Sequence, residues 1–301
     1  MERGVLIFAA GKSCYGEYAY NLAASIKFTS PTTKIHLIYW GENVFDSFND
    51  SHKTIFDSSE KIKDCDIIID GKFQPFYVKT LLNKYSPFEE TLFIDADSIF
   101  LPNKKIEDVF SECKNKDFNI QSNNVYRCSS KFSNKNILLG LTKSKFLIDK
   151  YNLSGVLIES RSQLIYFKKS DICNSLFNKW NEIYLELISY VGSEIKYASN
   201  YLPDEIPLCV AINMCNMSRH FIKNSFCPIY VQKYDLKHIN IDLFYIDNPK
   251  KYLVSSIDGK NFNENKTKII YNEVVEILRS KYNCFNWNGE KVYESYDLHR
   301  W

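Results

Sequence analysis

The first hundred residues alternate short apolar runs with amphipathic stretches, the pattern of strands and helices laid down as β-α-β units. Val5–Ala10 reads as a first strand and Gly11–Tyr15 as a loop. Gly16–Phe28 follows as a helix, with Tyr15, Ala19, Leu22, Ala23 and Ile26 recurring at helical spacing. Lys34–Trp40 and Cys65–Ile69 read as the next two strands. Gln74–Tyr85 carries Phe76, Val78, Leu81, Leu82 and Tyr85 on one helical stripe, and it stops at Ser86-Pro87 because proline pushes the preceding residue out of the α region. Thr91–Ile94 is the fourth strand. The plan is α/β, with a central, mostly parallel sheet flanked by helices.

Beyond residue 101 the pattern loosens. Polar loops, Cys113–Lys116 and Ser122–Asn136, precede two strand candidates, Gly155–Ile158 and Gln163–Phe167. Ser170 is placed to cap a helix of about five turns whose stripe runs through Ile172, Leu176, Phe177, Trp180, Ile183, Tyr184, Leu187 and Ile188, which makes Trp180 a core residue. Later candidates are a helix at Glu205–Met217, a strand at Pro228–Gln232 and a helix at Ile269–Lys281. Neither an internal repeat nor a linker rich in Pro, Gly or Ser divides the 301 residues, so a single domain is expected.

Composition changes this picture in three ways. With 45% apolar and 25% charged residues the chain folds around a sizeable core. Lys and Arg total 38 against 36 Asp and Glu, which is not the basic excess of a nucleic-acid binder. Nine cysteines are scattered with no C-x-x-C pair, so reduced structural thiols are expected in place of a disulfide framework or a zinc ribbon. No run reaches the roughly eighteen apolar residues of a membrane span, and the first apolar run is short for a secretory signal. A cytoplasmic location is the expectation.

The strongest chemical signal is Asp95-Ala96-Asp97, two carboxylates leaving the carboxyl end of a buried strand. Ligands gather at such strand ends in open α/β sheets. Two carboxylates one residue apart can share a hard divalent cation, which suits a diphosphate. Asp64-Cys65-Asp66 repeats the triplet but precedes its apolar run, at the wrong end of a strand. Gly11-Lys12-Ser13 after the first strand raises the alternative of a phosphate-binding loop and an NTPase. However, Leu6 stands where that loop needs a glycine, and too few backbone N–H groups remain to wrap phosphates. A phosphatase of the haloacid dehalogenase type also uses D-x-D, but after its first strand rather than its fourth.

The order of elements around these aspartates resembles a GT-A-fold glycosyltransferase, most similar to the glycogenin-like and galactosyltransferase-like family, over roughly residues 3 to 215. Ala9-Ala10-Gly11 with Tyr15 and Tyr18 resembles the family's base-binding first strand and loop. Lys79 stands where the family carries a basic residue near the phosphates, and Gln163–Phe167, preceded by Arg161 and Ser162, resembles its acceptor strand. Asn-Ser-Gly is itself absent, Asn152-Leu153-Ser154-Gly155 being a loose variant, and no carboxy-terminal His-x-x-Gly-x-x-Lys-Pro-Trp occurs.

The resemblance implies a metal-dependent hexosyltransferase moving a sugar from a UDP-type nucleotide-sugar to a glycan, protein or lipid-linked acceptor. Residues 1–101 would be the donor-binding half, 102–285 the acceptor half and 286–301 a tail. Asp95 and Asp97 would hold Mn²⁺ or Mg²⁺, with His238 as a third ligand and His220 as the other histidine in that part of the chain. Ala9, Ala10, Gly11, Tyr15, Lys79, Asp95 and Gln163 would contact the donor. Asp204 and Glu205, at a helix start, match the acidic position beside the acceptor, although acids there are also what the helix dipole favours. A catalytically inactive GT-A binding module is the non-enzymatic alternative.

Overall fold

The computed structural model describes residues 2–41, 44–45, 48–128, 137–196, 201–217, 229–230, 253–255 and 266–285. In chain order the elements are β1 (Arg3–Ala10), α1 (Ser13–Thr29), β2 (Lys34–Trp40), α2 (Asp50–Lys53), β3 (Ser58–Lys61), β4 (Ile68–Ile69), β5 (Lys72–Phe73), α3 (Leu82–Tyr85), β6 (Glu90–Asp95), β7 (Ser98–Phe100), α4 (Ile106–Cys113) and β8 (Phe118–Arg127). Then come β9 (Ile137–Leu138), β10 (Thr142–Lys143), α5 (Ser144–Tyr151), β11 (Val156–Lys168), α6 (Asp171–Leu187), α7 (Glu205–Met214), β12 (Ile229–Tyr230), β13 (Leu253–Ser255) and α8 (Lys266–Leu278). Short 3₁₀ helices cover Asp64–Asp66, Pro75–Leu81 and Ile188–Tyr190.

These elements form two compact units, each assembled from separate stretches of chain. The first holds β1 to β3 with α1 and α2, then β6, β7 and α4, and later β12, β13 and α8. Its sheet is parallel: β1 pairs with β2 on one side and β6 on the other, and β2 pairs with β3. Val5, Leu6 and Ile7 are fully buried, as are Ile35, Leu37, Leu92, Phe93 and Ile94. Such near-continuous apolar runs are what a parallel sheet covered on both faces requires. Small residues at Ala19, Ala23 and Ala24 let α1 pack closely, and Phe100 N donates to Ser25 Oγ at 2.9 Å, tying β7 to that helix. β7 also pairs antiparallel with β13.

The second unit holds the segment from residue 63 to 86 and the run from β8 to α7. Its long β11 pairs antiparallel with β8, from Val156 opposite Arg127 to Phe167 opposite Phe118, with register shifts at Glu159/Ser160 and Arg161/Ile165. The α6 helix follows as expected: Ser170 caps it by accepting from Cys173 N, and Trp180 is fully buried.

Four expectations are corrected. The third strand is the polar β3, not Cys65–Ile69; there Asp64–Asp66 is a turn of 3₁₀ helix, and only Ile68–Ile69 is a strand, in a small hairpin with β5. Asp66 explains the departure, because its carboxylate accepts from Lys84 Nζ at 2.6 Å and from the Tyr85 hydroxyl. Burial alone would raise that carboxyl; the two donors outweigh it and hold Asp66 below the usual aspartate range. The stripe of Gln74–Tyr85 is a 3₁₀ helix followed by the single turn α3. Val156–Ile158 of the first candidate and Gln163–Phe167 belong to one strand, and Ser122–Arg127, expected in a loop, is part of β8. Polar residues fill the gap because Glu159, buried in β11, accepts from Asn124 Nδ2 at 2.9 Å, from the Tyr126 hydroxyl at 3.2 Å and from Leu139 N at 2.8 Å.

Gly16 shows how closely the chain approaches α1. A β-carbon there would stand 1.9 Å from the Val44 carbonyl oxygen, far inside any real contact. Gly16→Ala is therefore expected to lower the urea midpoint, with a cost of about 1–3 kcal/mol from overpacking, whereas helix propensity alone would make the same change stabilising.

Candidate functional site

Parallel pairing brings three carboxyl ends of the first unit to one edge. Ala10 stands opposite Trp40, and Phe8 opposite Asp95. Ala9 and Ala10 are buried, Gly11 adopts φ +90° and donates its N–H to the Trp40 carbonyl at 3.0 Å. Only Gly11 and Lys12 lie between β1 and α1, which is too short a connection to wrap phosphates in a P-loop manner. Tyr15, in the first turn of α1, is half-buried and sets its ring edge-on to Tyr18 at 5.9 Å.

On that edge Asp95 ends β6, Ala96 is buried, and Asp97 lies in the turn before β7, with both aspartates half-buried. Hard oxygen donors of this kind fit Mg²⁺ or Mn²⁺ and not a soft metal. Among the described residues no set of three His, Cys, Asp or Glu is grouped to hold a metal, and His220 and His238 lie outside them.

The second unit contains a buried polar cluster. Lys79, on the 3₁₀ helix Pro75–Leu81, is 5% exposed; its Nζ donates to Ser162 Oγ at 3.1 Å and lies 3.8 Å from Asp204 Oδ1. Asp204 is 1% exposed and occupies the N-cap position of α7, yet its side chain makes no capping bond. Its backbone oxygen instead accepts from the Trp180 indole at 3.0 Å, and its Oδ2 is buried with no partner among the described residues. Gln163 Oε1 and Arg161 Nε, on the residues flanking Ser162, are also buried without a partner among the described residues. Glu205, the first residue of α7, is half-buried.

The structure thus joins Lys79 and Asp204, which the sequence offered separately, and adds Ser162 as the hydroxyl beside them. No local pattern announces that link, since Lys79 and Ser162 are 83 positions apart. The register shift between Arg161 and Ile165 leaves Ser162, Gln163 and Leu164 outside the β8 ladder. Such bulges re-aim side chains beside functional sites.

No protein-family model matches the chain, and no curated protein matches it in sequence. Among solved structures, the bifunctional glycosyltransferase WbbM superposes over 92% of this chain with a TM-score of 0.53 at 12% identity. The fold is a glycosyltransferase fold. This chain spans 49% of WbbM, and its parallel strands flanked by helices follow the expected GT-A-type plan. The galactosyltransferase LgtC, solved with donor and acceptor sugar analogues, matches over 92% of this chain and 95% of its own at 11% identity, with a TM-score of 0.49. GlyE of Streptococcus pneumoniae matches over 93% of this chain and 63% of its own at 13% identity, with a TM-score of 0.47. Among the described residues no helix is long and apolar enough to cross a membrane.

A buried ion pair is costly to half-remove, because the remaining charge stays desolvated. Lys79→Met is expected to destabilise the fold by about 3–5 kcal/mol in urea unfolding, and Lys79→Met with Asp204→Asn to recover most of that loss. Equal stability of the single and double variants would show that the two groups do not compensate each other.

Proposed function

We propose that this chain is a glycosyltransferase that moves a hexosyl group from a nucleoside diphosphate sugar, of UDP type, to an acceptor hydroxyl with the help of a divalent cation. The observation that carries the reading is the Asp95-Ala96-Asp97 turn at the carboxyl ends of parallel strands, in a chain whose fold is matched by WbbM. Asp95 and Asp97 would hold Mn²⁺ or Mg²⁺, which supplies Lewis-acid neutralisation of the diphosphate as a leaving group. Ala9, Ala10, Gly11 and Tyr15, on the same strand edge, would receive the base and ribose.

Asp204 is the side chain for the anomeric centre. Lys79 balances its charge and, through Ser162, fixes the pair in place, while Oδ2 is left with no donor among the described residues. A carboxylate in this role either takes the proton of the acceptor hydroxyl or stabilises positive charge at the sugar carbon. Glu205 is the alternative for the same role, and Gln163 offers a buried amide oxygen for a sugar hydroxyl. The absence of any capping bond from the Asp204 side chain favours this reading over a purely helix-capping acid.

Two measurements test the proposal. A panel of nucleotide-sugars with Mn²⁺, scored for released nucleotide, is expected to show turnover of a UDP-sugar that is lost in excess chelator and in Asp97→Asn; full activity in that variant removes the metal assignment. Tight binding of UDP with Mn²⁺ and no turnover across donors and acceptors would mark an inactive module. In the same assay, Asp204→Asn or Glu205→Gln is expected to lower turnover by about 100-fold or more with donor affinity nearly unchanged, as for a contact made mainly in the transition state. Normal rates in both variants exclude the pair from catalysis.

A further inference from the structure

Lys79 is carried by seven residues of 3₁₀ helix, Pro75–Leu81, which packs on α6 within the second unit. Runs beyond three or four residues are uncommon for this winding, whose side chains eclipse at every third position. The eclipsed row here is Gln74, at the cap position, then Tyr77 and Thr80. Asn181 of α6 gives both protons of its amide to this row, one to the Tyr77 hydroxyl at 2.8 Å and one to Thr80 Oγ1 at 2.9 Å. In α winding, positions three apart stand about 60° apart around the axis, so one amide that holds both selects the tighter helix. One turn further along α6, the Tyr184 hydroxyl shares its proton between the Leu202 carbonyl at 2.8 Å and the Gln74 amide oxygen at 3.3 Å. Trp180, beside Asn181, donates its indole N–H to the Asp204 carbonyl at 3.0 Å. Neighbouring side chains of α6 thus hold both the segment that carries Lys79 and the segment that carries Asp204.

Lys79 stands one position before Thr80, so its direction depends on the winding. Gln74 is also pinned through its backbone, its N–H donating to the Ile67 carbonyl at 2.8 Å. Counted from there, α winding would turn Lys79 by about 100° and draw it back by about 2.5 Å along the axis. Its Nζ would then leave Ser162 Oγ, 3.1 Å away, and Asp204 Oδ1, 3.8 Å away.

We infer that Asn181 is a positioning residue: by keeping Pro75–Leu81 in 3₁₀ form it sets the Lys79 ammonium against Asp204. The effect on turnover rests on the role proposed above for Asp204. Helix propensity alone would favour alanine at position 181, so the asparagine is kept against the local preference of α6.

The test is acetylation of the full chain by acetic anhydride, read lysine by lysine by mass spectrometry, beside nucleotide-sugar turnover and the melting temperature. Asn181→Ala is expected to raise labelling of the buried Lys79 about 10-fold relative to the exposed Lys72, the effect of losing a hydrogen bond that restrains local opening. It is also expected to lower kcat about 10- to 100-fold with the donor KM nearly unchanged, as for a displaced charge. Thr80→Val keeps the shape of the row and removes one of the two acceptors; smaller changes of the same kind are expected, and this variant carries the test if Asn181→Ala does not fold. Once Tyr77→Phe and Thr80→Val are both present, Asn181→Ala is expected to add nothing. Unaltered Lys79 labelling in the folded variants overturns the inference and leaves the role of Asp204 intact, since Asp204→Asn decides that separately. Raised labelling with normal kcat overturns it as well, and so does labelling that rises alike at every lysine, which would be general loosening. Absence of turnover in the unaltered protein overturns both the role of Asp204 and the effect on turnover claimed for Asn181.

Discussion

A strand paired in parallel on both sides and covered on both faces can present chemistry only at its ends, and β1 is such a strand. Val5, Leu6 and Ile7 have no exposed surface, and the neighbours β2 and β6 run in the same direction. Whatever this unit does to a ligand has to happen where Ala10, Trp40 and Asp95 finish together. The turn geometry at Gly11, the placement of Asp97 and the start of α1 all follow from that common edge. The triplet at Asp64–Asp66 has no such strand end to sit on: it is a 3₁₀ turn in the other unit, and Asp66 is spent on a structural contact with Lys84 and Tyr85.

The other unit handles its polar groups differently. Glu159 is buried but satisfied, with donors from Asn124, Tyr126 and the Leu139 backbone on its two oxygens. Burial and this carboxylate push the Tyr126 hydroxyl up to about 12, so it remains a donor at any physiological pH. Asp204 is equally buried and only half satisfied. Proteins rarely leave buried oxygen without a donor, and this contrast between two acids within one unit is what supports the role proposed for Asp204.

How much of this was legible in the sequence depends on range. The capped helix from Ser170, with Trp180 in its stripe, and the strand leading into Asp95 are set by neighbours within a few residues, and they read correctly. The edge strand β3 did not, because Ser58, Ser59, Glu60 and Lys61 are all exposed and pair through backbone and the contact of Ser58 with His36. The polar centre of β11 read as a gap because its partners lie on β8. Lys79, Ser162 and Asp204 could each be singled out, yet their meeting depends on tertiary packing that no spacing encodes.

The amide of Asn21, which joins α1 to Tyr271 of α8, bears on how the molecule is made. Its hydrogen-bond partner Phe285 lies 264 positions downstream, so the amide exchanges water for its protein partners only after that whole intervening stretch has been synthesised. At about 5–20 residues per second that interval is on the order of tens of seconds. During it, the face of α1 that α8 will cover is open to water, and the first unit lacks the late segment that carries α8.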